Sequence, residues 1–256
     1  MRLGLLALPL VLITVSAHAG LLDCSDTAPR HASAALTGVE HITVIGRAGS
    51  LKVTGRSGVR EVTATGTACA DSKDALNQIQ FGVRRNGTDL RIEAVIPDRT
   101  SWLGWNSGSL DMEVVVPDTV SIDIEDGSGD TIVENVGPLK MVDGSGDLII
   151  HGVHGNADVH DGSGDLTITD VAGDLRVNDG SGEMEIDHVT GNVTIDDGSG
   201  GITVRNVQKS VTIESDGSGS VDVTDVRGDF TVESKGSGSV DYTRIGGRIS
   251  VPRRNR

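Results

Sequence analysis

The chain has 256 residues, with 37 acidic against 22 basic side chains and a formal net charge of −15. That balance argues against nucleic acid as a partner, because a phosphate backbone repels such a surface. Only two Trp, two Phe and one Tyr accompany 35 Gly, so a core of Val, Ile and Leu interrupted by tight turns is expected, which means β structure.

Met1 and Arg2 precede the apolar stretch LGLLALPLVLITV (3–15) and the small-residue site Ala17-His18-Ala19. This order reads as a secretory signal peptide over 1–19. Asp23 stands where a lipidation box ahead of Cys24 would need a small residue. After residue 19 no apolar run approaches the roughly 20 residues of a membrane-spanning helix. The expected product is an exported protein of the periplasm or, next, of the cell surface or medium.

Cys24 and Cys69 are the only cysteines, and in an oxidising compartment they are expected to bridge; two buried free thiols are the alternative. Closing a loop of that length would stabilise the fold by roughly 4 kcal/mol on the chain-entropy estimate.

Residues 20–125 read as an irregular β part that caps the N-terminal end of a repetitive region. Strands are predicted at 40–45, 51–54, 60–65, 79–84, 89–95, 111–116 and 120–124, with a short helix near Lys73 to Asn77. Between two of these strands lies RTSWLGWNSGS (99–109), which holds Trp102 and Trp105. Trp on a loop can stack on a sugar ring or anchor to a protein surface, so this pair is the candidate contact for a glycan or an envelope protein. The alternative is that it covers the end of the core.

From 126 to 251 the sequence repeats. The first Gly of a G-S-G triplet falls at residues 127, 144, 162, 180, 198, 217 and 236. With each copy numbered from the residue before that Gly, positions 6 and 8 are apolar (Leu166 and Ile168, Met184 and Ile186), as are position 11 (Val171, Val189) and positions 15 and 17 (Leu175 and Val177, Val193 and Ile195). Each copy therefore holds two short strands of period 2. Such strands are stable only if each pairs with its equivalent in the next copy. The predicted fold is all-β: a single-stranded parallel β-solenoid of about 18-residue coils, flattened and without a pore. Glycines at the G-S-G corner would supply positive φ. Gly155, Gly173, Gly191, Gly228 and Gly247 mark a second corner, where Lys209 is the exception and predicts a different corner shape. Residues 252–256 form a basic tail that can block the last edge.

An exported leader, early irregular strands, LDMEVVVPDTVSIDIEDGSGD and then SGD-strand-V-x-G-strand repeats resemble the bacterial "putative adhesin" family of β-strand-repeat proteins of unknown function. The resemblance covers roughly residues 38–251. It implies a β-helical fold and export, and brings no catalytic residues.

Charge is concentrated in the repeats, where residues 126–234 hold 22 acidic against 5 basic side chains. Position 1 is Asp126, Asp143, Asp161, Asp179, Asp197 and Asp216; position 5 adds Asp130, Asp147, Asp165 and Glu183. Carboxylates stacked about 4.8 Å apart repel by roughly 0.9 kcal/mol per pair in water and about 3.5 kcal/mol at an effective dielectric of 20. Exposed ladders tolerate this, whereas shielded ones need protons or cations. Calcium is the candidate cofactor, since it accepts carboxylate and backbone oxygens in flexible geometry, although neither a G-G-x-G-x-D nonapeptide nor an EF-hand loop is present. Solvated turn corners are the alternative.

His151, His154, His160 and His188 occupy four different positions in the repeat, so no transition-metal ladder is expected. A serine written seven times is a corner residue, not a nucleophile. Departures from the repeat at Lys209, Lys235, Tyr242 and Arg244 assemble no acid, base and substrate clamp of the kind a catalytic site requires. The reading is an exported non-catalytic β-solenoid, adhesin-like or a scaffold at the envelope; the alternatives are a calcium-binding acidic solenoid and a carbohydrate-active β-helix enzyme.

Overall fold

The computed structural model describes residues 24–97 and 108–252. The proposed signal peptide, both Trp residues and the last four residues of the basic tail lie outside them. In chain order the first part contains β1 (Asp26–Ala35), β2 (His41–Ile45), β3 (Leu51–Arg56), β4 (Glu61–Ala70), α1 (Lys73–Leu76), β5 (Gln80–Asn86), β6 (Asp89–Val95), β7 (Gly108–Pro117) and β8 (Ser121–Glu125). The coils then contribute β9 (Thr131–Val136) and β10 (Leu139–Asp143), β11 (Leu148–Val153) and β12 (Ala157–Asp161), β13 (Leu166–Val171) and β14 (Leu175–Asp179), and β15 (Met184–Val189) and β16 (Val193–Asp197). They continue with β17 (Ile202–Val207) and β18 (Val211–Ser218), β19 (Val221–Val226) and β20 (Phe230–Ser237), and β21 (Val240–Ile245) and β22 (Ile249–Ser250).

These strands form two 11-stranded sheets, one ordered β1-β4-β7-β3-β9-β11-β13-β15-β17-β19-β21 and the other β22-β20-β18-β16-β14-β12-β10-β8-β2-β6-β5. Along the repeats every neighbour is parallel and one coil away, as in Leu166↔Met184 and Leu175↔Val193. This is the β-solenoid that the period-2 pattern predicts. Leu166, Ile168, Val171, Leu175 and Val177 are at most 2 % exposed, so the inside is a dry aliphatic filling shared by both sheets. Each such side chain contributes roughly 1.5–3 kcal/mol by burial.

The N-terminal part extends the same two sheets and changes direction at the rod's end. β2 and β3 pair parallel with β8 and β9, whereas β1 and β4 are antiparallel, as are β4 and β7 and β5 and β6. Strand β1 was not predicted; its half-buried side includes Ala28, Arg30, Ala32 and Ala34, and Pro29 lies within it, so it carries no aliphatic period. It is held by Arg30, whose guanidinium donates to the Ile79 and Leu76 carbonyls at 2.6 Å each. Cys24 and Cys69 form the predicted disulfide, with Cα atoms 5.6 Å apart.

Corner chemistry differs from the expectation in two ways. Of the two glycines in G-S-G, only the second takes positive φ, as in Gly164 at 135°; the first, such as Gly162, is required because a methyl there would strike the Gly144 carbonyl of the preceding coil. Gly155, Gly173, Gly191, Gly228 and Gly247 have no positive φ at all, so Lys209 at their position needs no special conformation. The left-handed residues of the second corner are instead Asn135, Gly152, Asp170, His188, Asn206, Asp225 and Arg244, with φ between 54° and 76°. They precede the inward Val or Ile of each coil.

Candidate functional site

Strand parity decides where the position-1 aspartates go. In β14 the inward residues are Leu175, Val177 and Asp179, and the same alternation ends β10, β12 and β16 on an inward Asp. In-register pairing stacks them: Asp143↔Asp161, Asp161↔Asp179 and Asp179↔Asp197. The next coil is one residue longer, and a bulge after Ile195/Ile213 absorbs the extra residue so that Asp197 still faces Asp216. Six aspartates thus form a column inside the corner, each between 1 and 7 % exposed. The expectation of solvated turn corners is corrected for these six: alternation along the strand turns them inward.

Both ends of the column are closed. Before Asp126, at the residue after the Ile45↔Glu125 pair, stands Gly46, where any Cβ would overlap the Asp126 carboxylate. After Asp216 comes Lys235, paired with it in register; its ammonium contacts the Asp216 carboxylate and donates to the carbonyls of Gly219 at 3.0 Å and Ser237 at 3.2 Å. Among the described residues, both carboxylate oxygens of Asp126, Asp143, Asp161, Asp179 and Asp197 are buried without a well-aligned hydrogen bond. Corner amides such as those of Gly144 and Ser199 lie near enough to favour the anions. Burial outweighs them: it pushes the Asp126 and Asp179 carboxyls up to about 6 and, with help from neighbouring carboxylates, those of Asp143 and Asp197 up to about 7. Asp161 is raised by burial too.

Position 5 has a different task. The Asp130, Asp147 and Asp165 carboxylates accept from the backbone N–H of Asp147, Asp165 and Glu183 in the next coil, at 3.2, 3.2 and 3.1 Å. These side chains staple successive coils at the outer surface. A second series of staples, not singled out from the sequence, runs along the opposite corner through Asn156, Asp174, Asn192, Ser210 and Asp229. Its signal was present as a short polar acceptor at position 14 of consecutive coils.

The histidines stay apart. His151 shares a hydrogen bond with Thr169 at 2.7 Å, His160 lies 3.5 Å from Asp158, His188 lies 3.0 Å from Asp187, and His154 is exposed. Among the described residues no three His, Cys, Asp or Glu side chains converge so as to hold a metal ion. The calcium expectation therefore gains no coordination geometry from the ten carboxylates of positions 1 and 5. The departures from the repeat are accounted for locally. Lys209 reaches Asp174 at 3.7 Å, Tyr242 packs on Phe230 with centroids 5.8 Å apart, and Arg244 holds Asp225 at 2.7 Å.

These features define a parallel β-solenoid whose acidic repeats build one interior carboxyl column and two outer series of coil-to-coil staples. The chain belongs to the DUF4097 Toastrack family, whose model matches residues 41–252. Among solved structures it is similar to a "putative adhesin" from Bacteroides fragilis, at 16% identity over 88% of this chain and 97% of that one with a TM-score of 0.39. It is also similar to a "Putative lipid binding protein" from Parabacteroides distasonis, at 15% identity over 88% and 97% with a TM-score of 0.39. A "putative cell adhesion protein" from Clostridium sporogenes matches at 10% identity over 88% and 100% with a TM-score of 0.35. No curated protein matches the chain. No described helix is long and apolar enough to cross a membrane.

Proposed function

We propose that this chain is an exported, non-catalytic β-solenoid that binds a protein or glycan partner at the cell envelope, with the periplasm as its first address. The observation that carries the reading is the structural engagement of its polar repeat residues. Position-1 aspartates face inward, and the acceptors of positions 5 and 14 tie coil to coil. What remains for recognition is the pair of broad outer sheet faces and the segment joining β6 to β7, which carries Trp102 and Trp105. The leader-like residues 1–19 and the Cys24–Cys69 disulfide support an oxidising compartment.

The test is binding of the fluorescently labelled chain, without residues 1–19, to intact cells and to a panel of purified envelope glycans. Saturable binding that weakens at least about tenfold in Trp102→Ala/Trp105→Ala supports the proposal, since aromatic anchors dominate such contacts. Turnover of any glycan that one carboxylate substitution abolishes, or the absence of saturable binding throughout, overturns it.

A further inference from the structure

We propose that the interior aspartates act in pairs, Asp143 with Asp161 and Asp179 with Asp197, each closed by one shared proton as Asp216 is closed by Lys235, so that the rod is tightest in mild acid and loosens as pH rises past neutrality.

The column is not evenly spaced in its interactions. In-register pairing stacks Asp143 on Asp161 and Asp179 on Asp197 at the roughly 4.8 Å spacing of neighbouring strands. Within these pairs, beyond the effect of burial, Asp161 raises the Asp143 carboxyl and Asp179 the Asp197 carboxyl both by charge and by hydrogen-bonding influence. Between these pairs, Asp161 acts on Asp179, Asp126 on Asp143 and Asp216 on Asp197 through charge alone. Two carboxylates that close, with their oxygens buried and lacking aligned donors, cannot both keep their charge. One proton converts the repulsion into an O–H···O⁻ hydrogen bond, which is the strong, charge-assisted kind. The last rung shows the same requirement met by an internal cation: Lys235 is 8 % exposed and its partner Asp216 is fully buried.

A metal ion is the less suitable neutraliser. No third ligating side chain converges on either pair among the described residues. Few other groups face the column. Besides its own members they are Lys235 on the last coil, the Asp147 carboxylate near Asp161 from the outer corner, the uncharged Thr131 beside Asp126, and the corner amides. At the Asp126 end stands Gly46, which brings no charge.

Proton linkage sets the direction of the pH effect. Folded-state carboxyls that titrate at about 6 to 7, against 3.8 ordinarily, keep protons that the unfolded chain releases. Their contribution to stability is complete below about pH 4 and is lost as pH climbs through 6 to 7. Asp174, Asp225 and Asp229 are shifted the other way by their hydrogen-bond partners, so their effect falls below pH 4, outside this window.

The experiment is urea unfolding of the disulfide-intact chain from pH 5 to pH 9, with proton release on unfolding measured in weak buffer at pH 6. Release of about two protons is expected, with the unfolding constant rising about a hundredfold per pH unit near pH 5 to 6. In Asp143→Asn/Asp197→Asn an amide N–H takes the place of each shared proton, so the slope should flatten and the variant should outlast the parent above pH 8. Release of less than half a proton from the unaltered chain overturns the proposal whether or not the variant folds. So does a stability that tracks sodium, potassium or calcium concentration at fixed pH, which would put cations where protons are proposed.

Discussion

The ammonium of Lys235 meets the carboxylate of Asp216 inside the rod, at the rung where each of the six preceding coils places an aspartate. Lysine here extends the column with the opposite charge and ends it. Its Nζ also satisfies two carbonyls of the corner, so the side chain is fixed by three acceptors at once.

Lys235→Met should therefore destabilise the C-terminal coils by about 3 kcal/mol, because it strands a fully buried carboxylate. Adding Asp216→Asn should recover at least half of that loss. Urea unfolding of the two variants at pH 7 checks both; equal stability of single and double variants would contradict the pairing.

Asp165 tests the outer staples. Asp165→Ala removes the acceptor for the Glu183 N–H and should cost about 1 kcal/mol, whereas Asp165→Asn keeps a side-chain oxygen and should cost less. The Glu183 amide should exchange with deuterium faster in the alanine variant. If its protection is unchanged, the carboxylate is not a staple.

His188 occupies a left-handed corner with φ of 57°, a conformation that costs most non-glycine residues about 1 kcal/mol or more. Its contact with Asp187 is exposed and adds little. His188→Gly should hold or raise stability by up to about 1 kcal/mol, and His188→Val should lower it by a similar amount. Thermal melting of the two variants gives the sign, and destabilisation by Gly would show that the imidazole does more than turn a corner.

Much of the architecture was legible because coil stacking multiplies a weak local signal. One four-residue strand such as 166–169 is ambiguous alone, but the alternation Leu166, Ile168 recurs at Met184, Ile186 and again at Ile202, Val204, and only a solenoid buries all of them. Strand β1 was illegible for the converse reason: its half-buried positions include small alanines and an arginine, and its partner β4 lies across the sequence rather than in the next repeat. The aspartate column was half legible. Asp179 lies two residues after Val177, so period 2 already turned it inward, yet Asp before Gly is also the signature of a solvated turn. In the coil the alternation prevails, because the stacked strand keeps its pleat through Asp179 and the turn begins only at the next glycine. Lys209 misled in another way: its glycine counterparts are small to allow close stacking of coils, not to reach positive φ.

The bulge between Ile213 and Ser215 has a practical meaning for the length of this rod. There the second sheet takes in one more residue, Glu214, and the chain returns to register at Asp216 with nothing downstream displaced. Glu214 points outward to Arg176, two coils back, at 2.8 Å. Such a place is a natural splice point: chain can be added on the outside of the molecule while the interior keeps its count, whereas one residue inserted between Val211 and Ile213, with no bulge to absorb it, would turn Ile213 to the wrong face.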